Sequence, residues 1–94
     1  MQGHSAANIV PVVAANRIGE EKIFPCEANN TQNSSLIFYG SSFITDETGE
    51  IVCEASKDKE EILYADIDLD KAGDMRMSWG LFRDRRPECY GKIL

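Results

Sequence analysis

The sequence predicts an α/β layered protein whose sheet needs more cover than the chain itself supplies. Two observations predict it. Residues 9–15 read Ile-Val-Pro-Val-Val-Ala-Ala, an apolar run without polar alternation, which is the pattern of a strand covered on both faces. Helical patterns, by contrast, are confined to three short stretches, at 1–8, from 69 onward and at 87–94. A sheet with two apolar faces needs a layer above and a layer below, so the remaining cover is expected from other polypeptide.

Each element follows from its residues. Ala6 and Ala7 favour a helix over 1–8, which Asn8 could close in a left-handed conformation. Pro11 cannot donate to a ladder, so it is expected near the first residue of the 9–15 strand or at a bulge. Residues 19–35, with Pro25 and the polar tract Ala-Asn-Asn-Thr-Gln-Asn-Ser-Ser, read as a long exposed loop. A β-rich run over 36–45 has Gly40 in its middle, the mark of a bulge or a close backbone approach. Residues 46–49 make a turn and 50–55 return, so the two segments form a hairpin. Ile51, Cys53 and Ala55 lie on one side of that strand and Glu50, Val52 and Glu54 on the other. Residues 62–67 read as a further strand. Asp68 can cap the helix that starts near Leu69, with Asp70 favourable in its first turn. Gly73 weakens that helix by about 1 kcal/mol relative to alanine. Pro87 suits the first position of a last helix running through Tyr90 to Leu94. No repeat and no linker interrupts this order, and residues 1–94 are expected to form a single partial domain.

Composition narrows the partners. The 94 residues carry 10 Lys plus Arg against 16 Asp plus Glu, a net charge of -6, which disfavours nucleic acid. No segment approaches the ~20 apolar residues of a membrane span, nor is there a signal-peptide pattern, so a cytoplasmic location is expected. Cys26, Cys53 and Cys89 are odd in number and contain no CxxC pair, so they read as free thiols in a reducing compartment rather than as disulfides or zinc ligands. The sequons at Asn29 and Asn33 would matter only in a secreted protein.

Little in the chain points to a complete catalytic apparatus. An activated cysteine needs a nearby cation, a helix N-terminus or a paired base. Here each cysteine has a glutamate as its sequence neighbour: Glu27, Glu54 and Glu88. Cys53 reads as a small core residue, and Cys89 alone has arginines, Arg85 and Arg86, about one helical turn away. His4 is the only histidine, so no histidine pair can hold a metal, and a helix-end residue bonding a carbonyl is its plain reading. The acidic stretches at 20–21 and 58–61 sit in polar connections, where solvated charge is the default. Arg83, Arg85 and Arg86 form the one basic cluster in an acidic chain, suited to bidentate pairing with carboxylates of another chain or of polypeptide outside this one. Asn16 and Arg17 close the apolar strand where a loop departs, and in layered α/β proteins ligands collect at such corners. Asn16 is accordingly the one candidate for substrate contact, beside its alternative as a turn-forming residue.

The ordered set of segments resembles a known family. It comprises Met1-Gln2-Gly3-His4, Ala6-Ala7-Asn8, Val10-Pro11-Val12-Val13-Ala14, Asn16-Arg17 and Gly19, then Phe38-Tyr39-Gly40, Ser42-Phe43-Ile44 and Thr48-Gly49-Glu50-Ile51-Val52. It ends with Asp68-Leu69-Asp70, Ser78-Trp79-Gly80, and Phe82-Arg83-Asp84-Arg85-Arg86-Pro87 with Tyr90. Together these resemble the C-terminal half of carbon-nitrogen hydrolases of the nitrilase superfamily, in the N-carbamoylputrescine amidase branch. Two positions depart from the pattern: Glu47 stands where proline is usual, and Gly73 where better helix formers are usual.

The resemblance implies part of a nitrilase-type four-layer α-β-β-α sandwich, with no cofactor. It implies a parent reaction in which N-carbamoylputrescine is hydrolysed to putrescine, carbon dioxide and ammonia, a step of polyamine biosynthesis. The cysteine nucleophile, glutamate base and oxyanion-binding lysine belong to motifs that precede this segment, so the chain is expected to be inactive alone. It also places Asn16 at the border of the substrate pocket. The expected partners are the missing N-terminal half or an intact homologue, in a homo-oligomer contacted through Arg83, Arg85 and Arg86, with neither nucleic acid nor membrane. Two other readings remain open: a non-catalytic interaction module docking on an intact relative, and a truncated reading frame without a role.

Overall fold

A computed structural model describes residues 1–93 of the chain. Its elements in order are α1 (Gln2–Asn8), β1 (Val13–Ala14), β2 (Ile18–Ile23), β3 (Ser34–Tyr39), β4 (Phe43–Thr45), β5 (Ile51–Glu54) and α2 (Leu69–Trp79). Short 3-10 turns follow at Glu27–Asn29, Pro87–Cys89 and Gly91–Ile93. The strands form two antiparallel units, a three-stranded sheet ordered β1-β4-β5 and a two-stranded hairpin of β2 and β3.

The helix α1 forms where the alanines predict it, but Ile9 rather than Asn8 closes it, with φ 50 and ψ 58. Asn8 stays helical because its side-chain amide donates back to the His4 carbonyl, 2.8 Å away. Only Val13 and Ala14 of the apolar run join the ladder. Pro11 stops it from extending backwards, as expected of a residue without an N–H. One residue on, Val12 N–H donates to the Thr45 hydroxyl at 3.0 Å, while Thr45 N–H donates to the Val12 carbonyl at 2.9 Å. That hydroxyl in turn donates to Ser5 Oγ at 2.9 Å. Ser5 Oγ lies 2.6 Å from the Val10 carbonyl and 2.7 Å from that of Asp46, and its single proton serves one of them at a time. Ser5 and Thr45 are both fully buried, so this knot of hydroxyls joins α1, β1 and β4 where a ladder cannot.

The expected long loop at 19–35 is shorter, because its ends are strand and the connection is confined to 24–33. Residues 18–23 pair with 34–39 in unbroken register from Ile18 opposite Tyr39 to Ile23 opposite Ser34. The run 36–45 divides into β3 and β4, which belong to different sheets, and the division falls at Gly40. Gly40 and Ser41 both take left-handed backbone, with φ 56 and 55. A Cβ at Gly40 would stand 2.7 Å from Ile18 Cγ2 and from the Ser56 carbonyl, which is the close approach its place in the sequence predicts. The β4–β5 hairpin forms as expected, with a register shift at Ile44/Thr45 that skips Val52.

Residues 62–67 form no strand among the described residues, although their burial alternates as a strand's would: Leu63, Ala65 and Ile67 are partly covered, and Ile62, Tyr64 and Asp66 exposed. Asp68 caps α2 as its position predicts, accepting from Lys71 N–H at 2.9 Å, and Gly80 closes the helix in a left-handed conformation. The expected last helix is two 3-10 turns, the second opening at Gly91 with φ 54; Leu94 lies outside the described residues.

The core is small. Among the described residues only Ile9, Ile44 and Ala72 are buried apolar side chains, whereas sixteen large apolar or aromatic ones are at least 40% exposed. The radius of gyration is 19.9 Å and the extents are 54 × 40 × 15 Å. A self-contained domain of this length has a radius of about 12 Å.

Candidate functional site

The end of β1 and the start of β2 meet the connection at 59–63 around a cleft of about 600 Å³. It is lined by Val13 and Phe43 of the sheet and by polar residues that include Asn16, Arg17, Glu21 and Glu61. The sequence therefore places Asn16 and Arg17 at the corner where the structure has this opening.

Asn16 is held by three hydrogen bonds. Its N–H donates to Ser42 Oγ at 2.8 Å, its side-chain Nδ2 donates to the Gly40 carbonyl at 2.9 Å, and its Oδ1 accepts from Arg17 N–H at 2.9 Å. Arg17 points along the hairpin, its guanidinium 3.9 Å from the Phe38 ring centroid and paired with Glu21. Across the cleft, Ser56 N–H donates to the Glu61 carboxylate and holds that carboxyl below the usual range. The rim is thus mixed in sign, with a cation–π contact anchoring one wall.

A second, smaller groove of about 440 Å³ runs between α1 and α2 and is mostly apolar, lined by Ala6, Ile9, Met75 and Trp79. Beside it Glu47, 4% exposed, has Lys71 Nζ 2.8 Å from its Oε1, although no donor is aligned with that oxygen for a hydrogen bond. The Lys71 ammonium is the main reason the Glu47 carboxyl lies below the usual range and the lysine above its own. Further along α2, the Arg76 guanidinium donates to the Ile9 carbonyl, at 3.2 Å from Nη2. No periodicity or motif signals Glu47; its departure from the family pattern is the only trace in the sequence.

The three cysteines stay apart. Cys26 and Cys89 are exposed, and Cys53 is partly buried with its Sγ 3.7 Å from the Tyr64 carbonyl. His4 is exposed on α1. Among the described residues, no three His, Cys, Asp or Glu side chains come together as a metal site.

The arginine cluster is exposed and largely paired within itself. Arg83 forms a bidentate pair with Asp84, at 2.7 and 3.0 Å, and Arg86 pairs with Glu88. These partners hold the Asp84 and Glu88 carboxyls below their usual range. Arg85 lies over the Phe82 ring, 3.9 Å from its centroid, with no carboxylate partner among the described residues.

No helix among the described residues is long and apolar enough to cross a membrane. The sequence matches the family model for Carbon-nitrogen hydrolase over residues 1–77. Along its whole length it is 52% identical to an N-carbamoylputrescine amidase of Arabidopsis thaliana and 48% identical to a citrullinase of Francisella tularensis. It spans 30% of the length of each. The fold is similar to that of a carbon-nitrogen hydrolase from Helicobacter pylori G27, with a TM-score of 0.74 and 38% identity, over 98% of this chain and 30% of that one. The chain belongs to the carbon-nitrogen hydrolase family, and it forms a part of the nitrilase-type α/β fold.

Proposed function

We propose that this chain is the C-terminal part of a hydrolase acting on ureido compounds of the N-carbamoylputrescine type. It supplies strands, one wall of the substrate cleft and subunit contacts. The nucleophile, base and oxyanion-binding lysine come from polypeptide outside these residues. The reaction adds water to the ureido carbonyl and releases a primary amine, carbon dioxide and ammonia. The observation that carries this reading is 52% identity over all 94 residues to an N-carbamoylputrescine amidase of which the chain spans 30%. The free thiols are those of a protein in a reducing compartment, such as the cytoplasm.

The reading is tested with two proteins: the isolated chain, and a chimera in which residues 1–94 replace the aligned segment of the Arabidopsis thaliana relative. With N-carbamoylputrescine, the chimera is expected to release ammonia and the isolated chain to release none above buffer. Turnover by the isolated chain overturns the claim that catalysis lies elsewhere, and an inactive but folded chimera overturns the assignment to this reaction. Citrulline as a second substrate decides between the two activities that the relatives' names carry.

Of the three arginines, Arg85 is the one with no carboxylate partner among the described residues, and it is the proposed centre of the subunit contact. Arg85→Ala in the chimera is expected to shift the oligomer towards smaller species in sedimentation. An unchanged distribution removes that role.

A further inference from the structure

The geometry points to Asn16 as a positioning residue that fixes the angle of the β2–β3 hairpin and, through it, the shape of the cleft. This rests on the hydrolase reading above, and it differs from a direct substrate contact.

Among the described residues no ladder joins the three-stranded sheet to the hairpin. The chain passes between them twice, outward after Ala15 and back before Phe43, and the two crossings lie side by side. Four hydrogen bonds stitch them. Asn16 N–H donates to Ser42 Oγ at 2.8 Å, Ser42 Oγ lies 3.3 Å from the Asn16 carbonyl, Asn16 Nδ2 donates to the Gly40 carbonyl at 2.9 Å, and Gly40 N–H donates to the Arg17 carbonyl at 2.9 Å. Asn16 takes part in three of them.

The returning crossing is strained. Ser41 has φ 55, a conformation that a residue with a Cβ holds only when its surroundings impose it. Gly40 before it is buried against Ile18 and Ser56 and has no room for a side chain. Without these stitches the strain at Ser41 relaxes, and the hairpin would then pivot about this point.

That pivot matters because the hairpin begins as a wall of the cleft. Arg17, Ile18 and Glu21 face the connection at 59–63 across the opening, so the hairpin angle sets its width. The Asn16 amide reads no substrate in this role. It holds the wall at the distance a bound ureido compound requires, and positioning of this kind is reflected in KM more than in kcat.

The test uses the chimera with Asn16→Ala, Asn16→Asp and Ser42→Ala, assayed on N-carbamoylputrescine and its one-carbon-longer homologue N-carbamoylcadaverine. Asn16→Ala is expected to raise KM about fivefold or more by the same factor for both substrates, with kcat within about twofold. Asn16→Asp keeps the Arg17 acceptor but sets a carboxylate against the Gly40 carbonyl, so it is expected to do no better than alanine. Asn16→Ala removes the side-chain hydrogen bond to the Gly40 carbonyl, and Ser42→Ala removes the two hydrogen bonds to the Asn16 backbone, so the double variant is expected to raise KM more than either single one. An unchanged KM overturns the inference. So do KM factors that differ several-fold between the two substrates, which mark a direct contact.

Hydrogen exchange of the same variants keeps this test separate from the hydrolase reading. Faster exchange around Gly40 to Ser42 in Asn16→Ala supports the hinge even if the parent chimera is inactive, and equal exchange contradicts it.

Discussion

At the residue scale, the positions that matter most are polar groups doing what ladders and apolar packing do elsewhere. Thr45 is the clearest case, because its hydroxyl accepts from Val12 N–H in place of a backbone carbonyl and donates to Ser5. Thr45→Val in the chimera leaves the Val12 N–H and the Ser5 hydroxyl short of a buried partner. It is expected to lower stability by about 1–3 kcal/mol in urea denaturation. The Glu47–Lys71 pair gives a signed pH dependence. Lys71 lowers the Glu47 carboxyl, so the pair's contribution is complete above the ordinary glutamate range and is lost as pH falls through the lowered value. Glu47→Gln is therefore expected to lower the melting temperature of the chimera at neutral pH and to leave it unchanged in acid, where the parent has lost the pair. A melting difference that persists at low pH contradicts this. Neither feature could be read in advance. The burial of Ser5, Thr45 and Glu47 depends on how α1, the hairpin turn and α2 come together, and residue type alone favours exposure for all three.

At the element scale, the legible parts are those with strong local chemistry. The Asp68 cap is decided within four residues, and so is the turn at 46–49, where the Asp46 carboxylate accepts from Thr48 and Glu50 N–H. Asp68→Ala is expected to cost α2 about 1 kcal/mol, seen as a lower melting temperature of the chimera. The hairpin β2–β3 was illegible for the opposite reason. Ile18-Gly-Glu-Glu-Lys-Ile has a glycine and three adjacent charges and lacks alternation, so its pairing comes from the complementary register of 34–39 rather than from its own pattern. Residues 62–67 are the converse: they alternate like a strand, yet they join no ladder among the described residues. A two-stranded hairpin is marginal in water, so β2–β3 amides are expected to exchange faster than those of β4, which pairs on both sides. Equal protection would mean that the hairpin is held by further contacts.

At the scale of the whole molecule, the exposed surface carries the account. The chain exposes 7773 Å², whereas a folded monomer of 10.5 kDa exposes about 5,400 Å². The excess is the coverage deficit that the unalternating apolar run at 9–15 and the sparse helical patterns predict. The corner at Asn16 was legible because strand ends and loops are recognisable one segment at a time. The cleft wall was not, since it forms only when residues 16–18 and 40–42 come together. The most direct test of the account is small-angle scattering on the isolated 94-residue chain at dilute concentration. The expected result is an associated or expanded species, with no monomer of compact radius. A monodisperse monomer with a radius of gyration of about 12 Å would contradict it, because the chain would then cover its own sheet.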